Sequence, residues 1–234
     1  MKFSINATIF NKFPNLCIGV VIAKDLNNAS QSEEIQTTLR KIETEIRVKY
    51  LAETFINEPK IAAWRNAYVS FGAKPKEHRS SVENLYRLVL KGIELKHINQ
   101  LVDAYNFISL KYMLPVGGED IDKIKGDLQL TLAGPNEPQT LLLGDKEARS
   151  PHEGEVIYKD EQNAICRRFN WRETDRTKLT KETKNAILVI ECLPPATIAE
   201  LEKALLELST LVKNHCCANT KTAILNATNK EIEI

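Results

Sequence analysis

The stretch from Ala164 to Glu191 holds residue types that a hydrophobic core does not need. Arg167, Arg168, Arg172 and Arg176 surround Phe169, Asn170 and Trp171, and Glu191 stands in the apolar run Ala186-Ile187-Leu188-Val189-Ile190-Glu191. A guanidinium is planar, permanently charged and weakly hydrated, so arginines interleaved with aromatic rings suit recognition of carboxylates, phosphates or stacked bases. A carboxylate inside a strand-like apolar run is costly to bury without a partner. Glu191 therefore reads either as half of an ion pair with a nearby arginine or as a selector for a polar or cationic side chain. The second reading is preferred, because a site built around a buried hydrogen-bonding group rejects ligands that lack the complementary group by orders of magnitude. For the arginines a solvated basic edge strand stands beside a phosphate-gripping patch, which would position a polyanion without reading its sequence. Lys74, Lys76, Arg79, Lys178 and Lys181 could extend that patch. Trp64 and Trp171 read as core aromatics, and Trp171 also as a platform for a stacked base.

Other chemistries lack their residues. There is no G-x-S-x-G elbow and no C-x-x-C pair, and the five cysteines, Cys17, Cys166, Cys192, Cys216 and Cys217, read as reduced, buried thiols. His78, His97, His152 and His215 fall in loops or on helix surfaces. Neither a metal nor another cofactor is expected. With 32 basic against 31 acidic residues there is no global basic field, so any polyanion must be held locally, and DNA is not expected as a partner. Apolar runs such as Leu16 to Ala23 are far too short to span a membrane. The expectation is a soluble cytoplasmic protein.

The elements that must position these residues mix helices and strands. Phe3 to Phe10 and Leu16 to Ala23 are rich in β-branched residues and flank a turn-forming Pro14-Asn15, which predicts a strand pair. Ser30 and Glu33 have capping-box spacing before a helix with Ile35, Leu39, Ile42 and Ile46 on one face. Pro59 and Gly72 bound a helix over 60–71 that carries Trp64, Tyr68 and Phe71. Ser80 and Glu83 start another, which Gly92 ends, and Ile98 to Met113 repeats apolar residues at helical spacing. Gly117-Gly118 reads as a tight turn whose N–H groups could face an oxyanion. Strands are expected over 127–132, 140–143, 154–159 and 186–191, then a helix beginning at Pro194-Pro195 and a last strand over 222–225. The fold class is α/β in the mixed α+β sense, with strands concentrated in the second half. No repeat is visible, so residues 1–234 are expected to form one domain of two intimately packed lobes.

Two blocks resemble a known family. Leu101-Val102-Asp103-Ala104-Tyr105-Asn106-Phe107-Ile108, followed by Pro115 and Asp120, is similar to the editing module of bacterial phenylalanyl-tRNA synthetase β subunits. Gly126-Asp127-Leu128, Ala133, Asp145, Asn163-Ala164-Ile165 and Thr183 to Glu191 follow that module in the same order. The Trp64-Arg65 to Pro75 block and Cys166 to Arg172 look like the B3/4-domain proteins that occur without a synthetase attached. The likeness covers about residues 60–195.

What the resemblance implies is a mixed α/β fold with a pocket between its halves. The activity implied is that of a trans-acting deacylase, which cleaves the ester between a wrong amino acid and its tRNA with an oriented water and no protein nucleophile. Mischarged aminoacyl-tRNA is then the expected partner. Glu191 matches the glutamate that reads the substrate hydroxyl in the synthetase, whereas Tyr105 and Gly117 stand where that pocket has a threonine and a histidine. Tyrosine-like side chains and a guanidinium analogue such as canavanine are the candidate substrates. Arg65, Tyr105, Asn106, Asp120 and Glu191 are the expected pocket residues, Gly117 and Gly118 the backbone oxyanion site, and Arg79, Arg167, Arg168, Trp171, Arg172 and Arg176 the tRNA contacts. The alternative is a non-catalytic tRNA- or amino-acid-binding module that has kept the fold.

Overall fold

A computed structural model describes residues 1–29 and 31–234. Among them lie six α-helices, ten strands and two single turns of 3-10 helix. The strands form two sheets. The six-stranded sheet takes its strands in the order β10 (Glu231–Glu233), β1 (Lys2–Ile5), β4 (Leu128–Leu132), β5 (Val156–Lys159), β6 (Ala164–Arg167) and β7 (Arg172–Glu173). The four-stranded sheet runs β3 (Val116–Asp120), β8 (Ala186–Cys192), β2 (Cys17–Lys24) and β9 (Asn219–Leu225), antiparallel throughout. In the larger sheet only β1 and β4 pair in parallel.

The first expected strand pair does not form. Phe3 to Phe10 divides into β1 and the helix α1 (Ala7–Lys12), because the Asn6 side chain accepts a hydrogen bond from the Thr8 N–H at 3.0 Å and starts a helical turn. β1 and β2 then enter different sheets. The segment 140–143 is not a strand either; Thr140 and Leu142 make isolated bridges to Arg149 and Thr174. Eight of the ten strands nevertheless fall after residue 115, and the mixed α/β class stands.

Helices cover the outer face of the smaller sheet. α6 (Ile198–Cys216) packs across β2, β8 and β9, with Gly19 allowing the close approach: a Cβ there would lie 3.0 Å from Leu201 Cδ1. α6 starts not at the prolines but after Thr197, which forms a complete capping box with Glu200. α5 (Gln100–Tyr112) lies against α6 and against α2 (Glu33–Lys49). Ile98 precedes α5 and is 58% exposed rather than inward. Ser30, expected to cap α2, lies outside the described residues; Ser32 caps it, accepting from the Ile35 N–H at 3.3 Å.

α3 (Pro59–Ser70) and α4 (Ser81–Leu90) follow the expected signals closely. Pro59 is the first residue of α3, and Gly72 just beyond it takes φ +83°, a conformation that glycine adopts without steric cost. Ser80 caps α4, but the Glu83 carboxylate turns away from the cap to Arg65 and Arg87 at 2.9 and 2.8 Å. Half of that capping box is thus exchanged for a tie between the two helices.

Candidate functional site

Strand periodicity builds the site. In β8 the odd residues Ile187, Val189 and Glu191 share one face, and the register Glu119↔Ile187 and Gly117↔Val189 brings β3 onto the same face. In the larger sheet Tyr158 pairs with Cys166 and Cys166 with Glu173, so these three also share a face. The two faces meet across a cavity of about 310 Å³, closed by Tyr105 of α5, Ser81 and Asn84 of α4, and the turn Phe169-Asn170-Trp171. Its size suits one amino-acid-sized ligand.

Glu191 is 1% exposed and has no arginine partner. The Tyr158 hydroxyl donates to its Oε1 at 2.7 Å and Asn170 Nδ2 donates to its Oε2 at 2.9 Å. The Tyr68 hydroxyl in turn donates to Asn170 Oδ1 at 3.0 Å, which fixes the amide with its NH₂ toward Glu191. Burial pushes the Glu191 carboxyl up to about 8, against the two hydrogen bonds that favour its ionised form, with the charge of Glu173 adding to the rise. The ion-pair reading of Glu191 is thereby replaced by a neutral hydrogen-bond network that opens onto a cavity.

Two further carboxyls line the cavity, and sequence reasoning missed both. Burial pushes Glu173 up to about 7, opposed by a hydrogen bond from the Gly118 N–H. Glu119 is held well above the usual carboxylate range by burial and by the charge of Glu173. Glu119 follows the expected glycine turn in sequence, and the only signal for either residue is an acidic side chain within a short stretch that proves to be a strand. Tyr158 and Asn170 were missed as partners because they reach Glu191 from 33 and 21 residues away. Tyr105 lines the cavity, its phenol pushed upward by burial and by neighbouring carboxylates, Glu173 first. The Cys166 thiol is likewise pushed well up by burial, which keeps it a neutral packing group rather than a nucleophile.

The expected oxyanion turn is corrected. Gly117 and Gly118 lie in β3, where consecutive N–H groups point to opposite edges, so they offer no convergent donor pair. A Cβ on Gly117 would lie 3.1 Å from Glu173 Oε1, so the carboxylate fills the space beside the position where the resemblance expects an imidazole.

Three other expected pocket residues lie away from the cavity. Arg65 donates to both oxygens of Glu83, at 2.9 and 3.1 Å. Asp120 is 3% exposed; it accepts from the Thr183 hydroxyl at 2.8 Å and from the Asp122 N–H at 3.1 Å. Asn106 is half-buried on α5, outside the lining.

The arginines are not a free basic strip. Arg167 is 3% exposed and makes two hydrogen bonds to Glu155, at 2.9 and 2.8 Å, while the Arg168 N–H adds a third at 3.1 Å. Arg176 binds Asp160 at 2.9 Å and Asn163 at 2.8 Å; Arg172 binds Asp145 at 2.6 Å. The Arg168 and Arg172 guanidiniums stack over the Trp171 ring at 4.5 and 4.6 Å, so the ring spends its faces inside the protein rather than on a base. Of the expected RNA contacts, Arg79 and Arg172 keep the most exposure, 41% and 38% of their side chains; Arg172 is held by Asp145 and Trp171, whereas Arg79 stands next to the exposed Lys74 and Lys76.

Four of the cysteines are buried and unbridged; Cys217 is exposed. Among the described residues no cluster of His, Cys, Asp and Glu side chains is arranged to hold a metal ion, and no helix is long and apolar enough to cross a membrane.

Comparison with known proteins places this cavity in a family context. The phenylalanine–tRNA ligase β subunit of Fusobacterium nucleatum subsp. nucleatum is 28% identical over 117 residues, which cover 50% of this chain and 14% of that protein. A solved N-terminal fragment of the phenylalanyl-tRNA synthetase β subunit from Pyrococcus horikoshii aligns with 94% of this chain and 49% of that chain, at 14% identity and a TM-score of 0.47. This chain thus spans a small part of the first relative's length and about half of the second's. The model of the B3/4 domain family matches residues 63–229, a span that holds every residue lining the cavity, and the chain belongs to that family.

Proposed function

We propose that the chain is an aminoacyl-tRNA deacylase that removes a wrongly attached amino acid. Its relation to a tRNA ligase subunit supports a tRNA-related role. The observation that carries the reading further is Glu191, a buried carboxyl held by Tyr158 and Asn170 at the wall of a cavity sized for one amino acid. Such a group discriminates among side chains, because each carboxyl oxygen has a second lone pair that a ligand with a matching donor can use and an apolar ligand cannot. A guanidinium analogue such as canavanine supplies donors, and a tyrosine-like phenol supplies one.

The reaction needs little from the protein. Water attacks the ester carbonyl carbon, the bond from that carbon to the ribose oxygen breaks, and the departing oxygen takes a proton, leaving a free amino acid and uncharged tRNA. Binding energy spent on orientation supplies most of the acceleration. The exposed basic loop of Lys74, Lys76 and Arg79 is the part of the surface best suited to phosphate contacts. A cytoplasmic site of action follows from this reading.

The test is release of amino acid from a panel of purified mischarged tRNAs, including canavanyl, arginyl and tyrosyl forms. Turnover at least tenfold above the spontaneous rate for one or more of them supports the reading, and no turnover on the whole panel overturns it. A non-catalytic binding module is favoured by one observation, the divergence of the Gly117 and Gly118 N–H groups, and predicts ligand or tRNA binding without ester loss.

A further inference from the structure

We infer that Glu119 and Glu173 anchor the free α-ammonium group of the bound aminoacyl moiety, at a subsite separate from Glu191. The inference deepens the deacylase reading and rests on it. Three carboxyls open onto one cavity, and its one lining cation, Arg172, is already engaged by Asp145 and Trp171. Glu119 is 7% exposed and lines the cavity, yet its Oε2 has no hydrogen-bond partner among the described residues. An unpartnered buried carboxyl oxygen is costly and calls for a partner, and a cation brought beside it favours the ionised form. Glu173 reaches the cavity from the opposite sheet, and Gly117 leaves it the room to do so.

The spacing separates two tasks. Glu119 stands beside Ile187 and Glu191 lies four residues further along β8, about 13 Å at strand rise. One small group cannot serve both ends, whereas an amino acid presents a polar group at each. A primary ammonium carries three N–H donors and a positive charge, enough for two carboxylates and one further acceptor. An amide nitrogen carries one N–H and no charge. The site should therefore refuse esters whose amine is already acylated, as in peptidyl-tRNA, and act only on aminoacyl groups with a free amine.

The experiment measures binding of L-argininamide and L-tyrosinamide and of their Nα-acetyl derivatives to the intact protein by calorimetry. At least one free-amine compound should bind tenfold or more tighter than its acetylated form. Glu173→Gln and Glu119→Gln should abolish that preference, with near-wild-type circular dichroism and melting showing that the fold is kept. Equal binding of the two forms, binding of neither, or an undiminished preference in both folded variants would overturn the inference. The ligand comparison needs no variant, so a misfolded mutant does not remove the test. A free-amine preference without any ester cleavage on the tRNA panel would sink the deacylase reading and leave the anchor standing.

Discussion

Asn170 donates to Glu191 Oε2 at 2.9 Å only because Tyr68 occupies the other end of its amide, donating to Oδ1 at 3.0 Å. The orientation of the carboxyl at the cavity wall is therefore set three groups deep, from α3 through the turn to β8. Tyr158→Phe, which removes the other donor at 2.7 Å, should cost about 1–2 kcal/mol by urea denaturation and broaden the range of mischarged tRNAs hydrolysed. Unchanged selectivity in a folded variant would mean that Glu191 does not read the substrate.

The protonation of Glu191 makes stability depend on pH. Its carboxyl rises from 4.5 unfolded to about 8 folded, so the folded state holds a proton that the unfolded chain has released. That contribution is intact below 4.5 and is lost as pH rises through about 8. Glu191→Gln should flatten the decline in the denaturation midpoint between those limits. An identical pH profile in the variant would contradict the raised value.

A cationic ligand should reverse the same titration. Drawing a positive group into the cavity favours the ionised carboxyls, so binding near pH 7 should release protons from Glu173 and Glu191, which titrate at about 7 and about 8. Calorimetry in buffers of different ionisation enthalpy reads this release directly, and affinity should rise with pH across the same window. Proton uptake on binding would rule out a cation as the ligand.

The Arg167–Glu155 pair should behave as structure and not as RNA contact. Both side chains are about 4% exposed, and removing one leaves the other charged and buried. Arg167→Ala should cost about 3–5 kcal/mol in chemical denaturation. Burial opposes ionisation of Glu155, yet the Arg167 hydrogen bond and the charges of Arg168 and Arg167 outweigh it and hold the carboxyl below its usual 4.5. The stabilising effect is therefore present above 4.5 and lost as pH falls through the depressed folded value.

RNA affinity should depend instead on the loop between α3 and α4. Charge reversal at Lys74, Lys76 and Arg79 should weaken tRNA binding and lower the slope of log affinity against log salt by about 0.7–0.9 for each phosphate that is no longer neutralised. Wild-type salt dependence in the triple variant would place the RNA surface elsewhere.

The contrast between these last two regions shows what the amino-acid sequence could and could not reveal. Signals that act within one turn were legible: Pro59 and Gly72 bounding α3, Ser80 capping α4, and the apolar spacing of α2 and α5. Glu191 was legible as a carboxylate in an apolar strand. Arg167, Arg172 and Arg176 were misread because their partners Glu155, Asp145 and Asp160 lie 12 to 27 residues away, and only sheet pairing brings them together. Glu119 and Glu173 were invisible for the same reason, each becoming a cavity residue only when two sheets face each other. The division of β1 and β2 between those sheets was hidden too, since β1 chooses a parallel partner beginning at Leu128.

The arginine-flanked indole at the cavity wall has an optical consequence. Trp171 lines the cavity between two guanidiniums, whereas the second tryptophan, Trp64, is 2% exposed and packs on Phe169 away from the lining. Ligand entry changes the surroundings of one chromophore and leaves the other as an internal standard. Intrinsic fluorescence thus reports cavity occupancy without a label, and a Trp171→Phe variant supplies the silent control.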